Sequence, residues 1–99
     1  MKKSYTYMMA NKNNTVIYAG VTSNISKRVW QHKNKVYKGF TSRYNCDKLV
    51  FYLEFSDIRD AIAYEKKLKA GSRAAKVKLI NEMNPDWKDL AEGWILTPD

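Results

Sequence analysis

The 99-residue chain carries 18 Lys and Arg against 10 Asp and Glu, a formal net charge of +8, with 44% apolar and 13% aromatic residues. That apolar content excludes a disordered chain, and the length confines it to one domain with a modest core. No run of about 18 apolar residues occurs, so no transmembrane helix is expected, and the opening MKKSYTYMMANKNN is too polar-flanked for a secretion leader.

A cytoplasmic setting follows as an expectation. The single Cys46 cannot form an internal disulfide and reads as a semi-buried filler. An excess of cations this large on a small domain favours a polyanion partner, nucleic acid before membrane. Lys27, Arg28, Lys33, Lys35 and Lys38 form one basic group. Lys66, Lys67, Lys69, Arg73, Lys76 and Lys78 form a second. Lys27, Lys33, Lys35, Lys38, Arg43, Lys69 and Arg73 are the candidate DNA-binding residues, with RNA as the second polymer and a monomer as the default state.

Residues 4–10 (SYTYMMA) and 15–21 (TVIYAGV) are β-rich, and NKNN at 11–14 is a turn cluster. Together they predict a hairpin. A loop of 11–14 sets Ala10 against Thr15, Tyr7 against Tyr18 and Tyr5 against Gly20 on one face. Two tyrosines there read either as a packed cross-strand pair or as two functional phenols. Gly20 reads as a strand end before a turn.

Residues 24–36 predict a helix capped by Ser23 or Asn24, with Ile25, Val29 and Val36 as its apolar stripe. Arg28 and His32 fall inside or beside that stripe, so they should point toward the sheet edge. Residues 36–47 read as a long loop suited to binding. Trp30, Tyr37, Phe40 and Tyr44 lie among basic residues and suit base stacking, although Trp30 equally suits the core.

Residues 48–55 (KLVFYLEF) predict a third strand. Asp57 caps a second helix running to about Ala70, Gly71 breaks it, and Ser72 caps a third helix through Met83. Pro85 blocks continuation. The order β-β-α-β-α-α describes an α+β domain with a three-stranded antiparallel sheet flanked by helices. Residues 1–99 form a single domain in this reading. Its core spans about 4–84, and a tail of 85–99 folds back through Trp87, Leu90 and Trp94.

On the second helix Ile58, Ala61, Ile62 and Leu68 share a face, and Glu65 lies near its middle. A buried carboxylate needs a cation beside it. That cation is either a partner in an ion pair, Arg28 or a lysine, or a divalent metal such as Mg²⁺. Arg28 likewise needs an anion, either Glu65 or a ligand phosphate. A lone His32 cannot make a metal site. The chain lacks a phosphate-cradling G-x-x-x-x-G-K, zinc-type Cys/His spacing and a G-x-S-x-G element.

The ordered set Tyr5-Thr6-Tyr7, Tyr18-Ala19-Gly20-Val21-Thr22, Asn24 to Arg28, His32 and Glu65 resembles the GIY-YIG nuclease domain. It is similar to the small stand-alone bacterial members, which are related to the N-terminal nuclease domain of the repair excinuclease. The resemblance covers residues 4–94. It implies an endonuclease hydrolysing DNA, including branched or damaged DNA, with one Mg²⁺ or Mn²⁺ ion. By the same resemblance Tyr7 and Tyr18 are the active-site tyrosines, one of them the general base. Arg28 relieves phosphate charge, His32 matches a histidine of many members, and Glu65 is the metal ligand. The first motif lacks its glycine and isoleucine. Pro85-Asp86-Trp87-Lys88 stands where the family carries an asparagine near a Pro-x-Tyr-Asn, so Asn84 and Lys88 are the supporting candidates. Two rivals come from other classes. One is a binding module using the same basic face without cutting. The other is a protein-interaction domain using the Trp87–Trp94 tail.

Overall fold

The computed structural model describes residues 2–98. The elements run β1 (Ser4–Ala10), β2 (Ile17–Thr22), α1 (Ile25–Lys33), α2 (Phe40–Arg43), β3 (Lys48–Phe55), α3 (Ile58–Ala70) and α4 (Arg73–Met83). The three strands form one antiparallel sheet in the order β2-β1-β3. Short α2 is the one element added to the expected order. Among the described residues no helix is long and apolar enough to cross a membrane.

The hairpin register is a correction. Ala10 pairs with Ile17, Tyr7 with Gly20 and Tyr5 with Thr22. The loop therefore spans 11–16 rather than 11–14, and Asn11 is the cause. Its Oδ1 accepts from the Thr15 and Val16 N–H groups at 2.8 and 3.0 Å, and its Nδ2 donates to Thr15 Oγ1 at 2.7 Å. Asn14 takes the left-handed turn at φ 59°. These bonds use up the main chain that would have opened β2. A two-residue shift preserves which face each side chain takes. Tyr7 and Tyr18 thus share a face, as diagonal neighbours rather than a direct pair.

The helix starts follow their caps. Asn24 accepts from Lys27 N, Asp57 from Arg59 N and Ser72 from Ala75 N. The end of α1 differs from expectation. Asn34 caps it through Trp30 O, Lys35 turns left-handed at φ 52°, and Val36 is left 47% exposed outside the helix. On α3, Ala61 and Leu68 are buried, whereas Ile58 and Ile62 lie at the rim. The buried Thr6 hydroxyl donates to Ala61 O at 2.6 Å. Ala61 is itself fully buried there.

The sheet separates two cores. One face packs Met8, Ala10, Ala19, Val50 and Phe51 against Leu68 of α3 and Ile80 of α4. The other packs Tyr7, Met9 and Leu49 against Ile25 and Val29 of α1, with Cys46 and Ala91. Cys46 is fully buried and its thiol is pushed up to about 11, chiefly by burial. The tail folds back onto this second face, with Leu90 N bonded to Leu49 O at 2.7 Å and Trp94 edge-on to Tyr52.

Candidate active site

Tyr7 rises from the central strand and is fully buried. Its ring lies across Gly20 of the edge strand β2. A Cβ at position 20 would stand 2.5 Å from the Tyr7 hydroxyl. Gly20 is therefore no strand end. It is the gap through which a phenol from the sheet centre reaches the edge.

There Tyr7 Oη meets His32 Nε2 at 2.8 Å, in a buried hydrogen bond. His32 Nδ1 lies 3.2 Å from Thr41 Oγ1, on α2. The helical spacing that puts His32 one turn beyond Arg28 also turns it inward, to 8% exposure. Burial first, then the Arg28 guanidinium, holds the imidazole down at about 4, so it is neutral at pH 7. Burial pushes the Tyr7 phenol well above its ordinary value. Arg28 offsets part of that rise, while Tyr18 and Glu65 add to it. Tyr7 thus rests as a protonated phenol, with Arg28, Tyr18 and Glu65 all within electrostatic reach.

Tyr18, on β2, joins the group through its ring. Its centroid lies 6.4 Å from that of Tyr7, 5.7 Å from His32 and 6.2 Å from Phe40. Outside this group, Tyr18, Arg28, His32, Tyr37, Lys38 and Phe40 line a cavity of about 210 Å³. Arg28 and Tyr37 also border a neighbouring polar groove of about 360 Å³ with Lys2 and Lys27. Glu65 comes from α3, on the other face of the sheet, and its side chain is only 14% exposed. Its cation is Lys69, with Nζ 3.0 Å from Oε2. The same ammonium sits 5.6 Å from the Tyr18 ring centroid.

Other candidates have partners of their own elsewhere in the fold. Asn84 caps α4. Its Nδ2 donates to Val50 O and Lys88 O, and its Oδ1 accepts from Lys88 N. Its amide ties the tail to β3, and the Lys88 backbone is spent in the same knot. Lys33 pairs with Asp89 and donates to Asp47 O at 2.9 Å, so it holds the tail rather than facing outward. Arg73 donates to Thr15 O and Asn14 O at 3.0 and 2.7 Å, fastening α4 to the hairpin loop. Lys27, Lys35, Lys38 and Arg43 remain exposed, the last over the Tyr44 ring. Thr41 escaped the sequence reading. A lone threonine in a basic loop carries no signal until the fold brings it to His32.

Among the described residues no three His, Cys, Asp or Glu side chains gather as a metal cage. A single, mostly buried carboxylate still suits a hard ion that keeps most of its waters and takes phosphate oxygens, which describes Mg²⁺. Glu65 is the residue that would hold it.

Residues 3–81 match the profile described as the GIY-YIG catalytic domain. The chain is 32% identical over 82 residues to a UPF0213 protein of Staphylococcus haemolyticus, covering 83% of this chain and 99% of that one. It is 32% identical over 87 residues to a UPF0213 protein of Syntrophus aciditrophicus, covering 87% and 98%. The solution NMR structure of a UPF0213 protein from Bacillus halodurans shares the fold, with a TM-score of 0.57 over 96% of this chain and 99% of that one, at 21% identity. The chain therefore belongs to the GIY-YIG catalytic-domain family, alongside small UPF0213 proteins whose length it almost fully spans.

Proposed function

We propose that the protein is a metal-dependent endonuclease that hydrolyses DNA phosphodiester bonds, with Tyr7 as the general base. The observation that carries this reading is the buried 2.8 Å hydrogen bond between Tyr7 and a neutral His32, beside Arg28. A phenol held above its ordinary value cannot be stored as phenolate. It can still take a proton from water if it releases its own at the same moment. His32 Nε2 is placed to receive that proton, and Thr41 Oγ1 to accept from Nδ1–H in the imidazolium that results.

The resting imidazole is a weak base, but an anionic phosphate entering the cavity favours its charged form. Arg28 lines that cavity and would neutralise phosphate oxygens. A divalent ion on Glu65, when bound, supplies further charge relief at the phosphate and the leaving oxygen. Tyr18 would pack and orient the group. Phe40, 50% exposed on the Tyr18 ring, and Tyr44 4.8 Å beyond it offer flat surfaces for bases, with Lys38 and Arg43 beside them.

One observation favours the non-cutting alternative: Glu65 already has a cation in Lys69. Cleavage of plasmid and branched DNA with Mg²⁺ or Mn²⁺ decides. Wild type should cut, and Arg28→Ala and Glu65→Ala should each lose roughly 10²–10³-fold. Equal behaviour of all three proteins would remove the nuclease reading, and salt-sensitive DNA binding without metal would replace it.

A further inference from the structure

We propose that Lys69 is a tethered counter-ion for the metal carboxylate. Its ammonium holds Glu65 in the ion-free protein, and its charge opposes a divalent ion binding there. This rests on the metal reading above, and the experiment below separates the two.

A carboxylate as covered as Glu65 cannot stand alone at neutral pH without a large cost. Among the described residues, Lys69 is the cation paired with it. The pair spans one helical turn with Glu65 on the N-terminal side, the favourable order on a helix. An ordinary surface pair of this kind has both partners in water. Here the carboxylate is 14% exposed and the ammonium 51%. The ammonium also leans over the Tyr18 ring, a residue that touches Tyr7, His32 and Phe40. Lys69 therefore sits at the lip of the site, with one charge partner and one aromatic partner.

Lysine suits a temporary partner. Its ammonium is a compact charge on a four-carbon stem, whereas an arginine fork would grip the carboxylate in two bonds. An ammonium 3.0 Å from Oε2 repels a divalent ion that approaches the same carboxylate, so an arriving ion works against Lys69. Held on α3 beside Tyr18, Lys69 also adds positive charge at the edge of the site.

The sign follows directly: a charge that competes with the ion weakens the ion. Removing it should tighten binding at Glu65. The test is Mn²⁺ titration of the full chain by calorimetry, without DNA, on wild type, Lys69→Met, Lys69→Arg and Glu65→Gln, each first shown to melt cooperatively. Lys69→Met should bind Mn²⁺ about two- to fivefold more tightly, the factor that a partly exposed ion pair represents. Lys69→Arg keeps the competing charge and should bind no more tightly than wild type. Glu65→Gln should lose the site. If Glu65→Gln abolishes binding while Lys69→Met binds equally or more weakly, the counter-ion role is overturned and the metal reading stands. If Glu65→Gln binds as wild type does, the metal reading fails, and this inference falls with it.

Discussion

The two faces of the sheet are built on different terms. The α3–α4 face is nearly all hydrocarbon, with Met8, Val50, Phe51, Leu68 and Ile80 filling it. Its main polar insertions, Thr6 and Asn84, are both spent on main-chain carbonyls. The α1 face begins as hydrocarbon too, with Met9, Val29 and Leu49. Toward β2 it changes into a hydrogen-bonded chain of Tyr7, His32 and Thr41. The first face supplies cohesion. The second gives up some cohesion to hold titratable groups out of water, where their proton affinities shift. The difference teaches that one thin sheet can keep a hydrocarbon core apart from a buried phenol and imidazole, provided one strand residue is bare enough to let the phenol through, while α3 serves both by burying Leu68 and carrying Glu65.

That division can be broken or sharpened by substitution. Tyr7→Phe should have the largest effect, lowering cleavage by about 10²–10⁴-fold with a near-wild-type melting temperature. Tyr18→Phe should cost far less, and single-turnover rates for the two variants show which phenol moves the proton. Ile80→Ala, on the hydrocarbon face, should cost about 2–5 kcal/mol of stability. Denaturant melts measure that loss, and the specific activity of the folded fraction should not change. If it drops as far as in Tyr7→Phe, the faces are not separate. Gly20→Ala should do both kinds of damage, because the new methyl drives into the buried Tyr7 ring. A stability loss of about 1–3 kcal/mol is expected, together with lost cleavage.

Acid should act through His32. The imidazole sits at about 4 in the fold against an ordinary 6.5. Between those values the unfolded chain binds a proton that the folded chain refuses. Stability therefore falls as pH falls through that window. Melting curves at about pH 7 and about pH 4.5 should show the loss in wild type and a smaller one in His32→Gln. The smallest effect is expected from Thr41→Val, a several-fold loss of rate as His32 loses its outer hydrogen bond, on the scale of about 1 kcal/mol. A pH–rate profile unchanged from wild type would remove Thr41 from the relay.

Much of this architecture was legible in residues whose signal is local. Asp57 and Ser72 cap the helices that they were expected to cap, Asn24 rather than Ser23 caps α1, and KLVFYLEF is the third strand end to end. The family motif points to the residues that meet at the β2 edge. What was not legible involves side chains whose partners are distant or whose role is to close a loop. Asn11 moves the hairpin register by bonding its own turn. Lys33 and Arg73 look like any other basic residue in sequence, yet their partners are Asp89 and the Asn14–Thr15 carbonyls. Asn84 falls near the right place for a catalytic amide and is used up as a buckle. Charge and spacing name the candidates, but only the fold says which cations are still available.

Asp89 fixes how far this protein can be shortened. Its two oxygens take Lys33 at the end of α1, the Leu49 N–H at the start of β3 and the Ala91 N–H of the tail. One carboxylate thereby gathers three segments that are far apart along the chain. A protein trimmed after Lys88 would lose that junction and bare Met9 and Leu49 to water. The last turn of α1 would then rest on the bonds of His32 to Tyr7 and Thr41 and of Lys33 to Asp47 O.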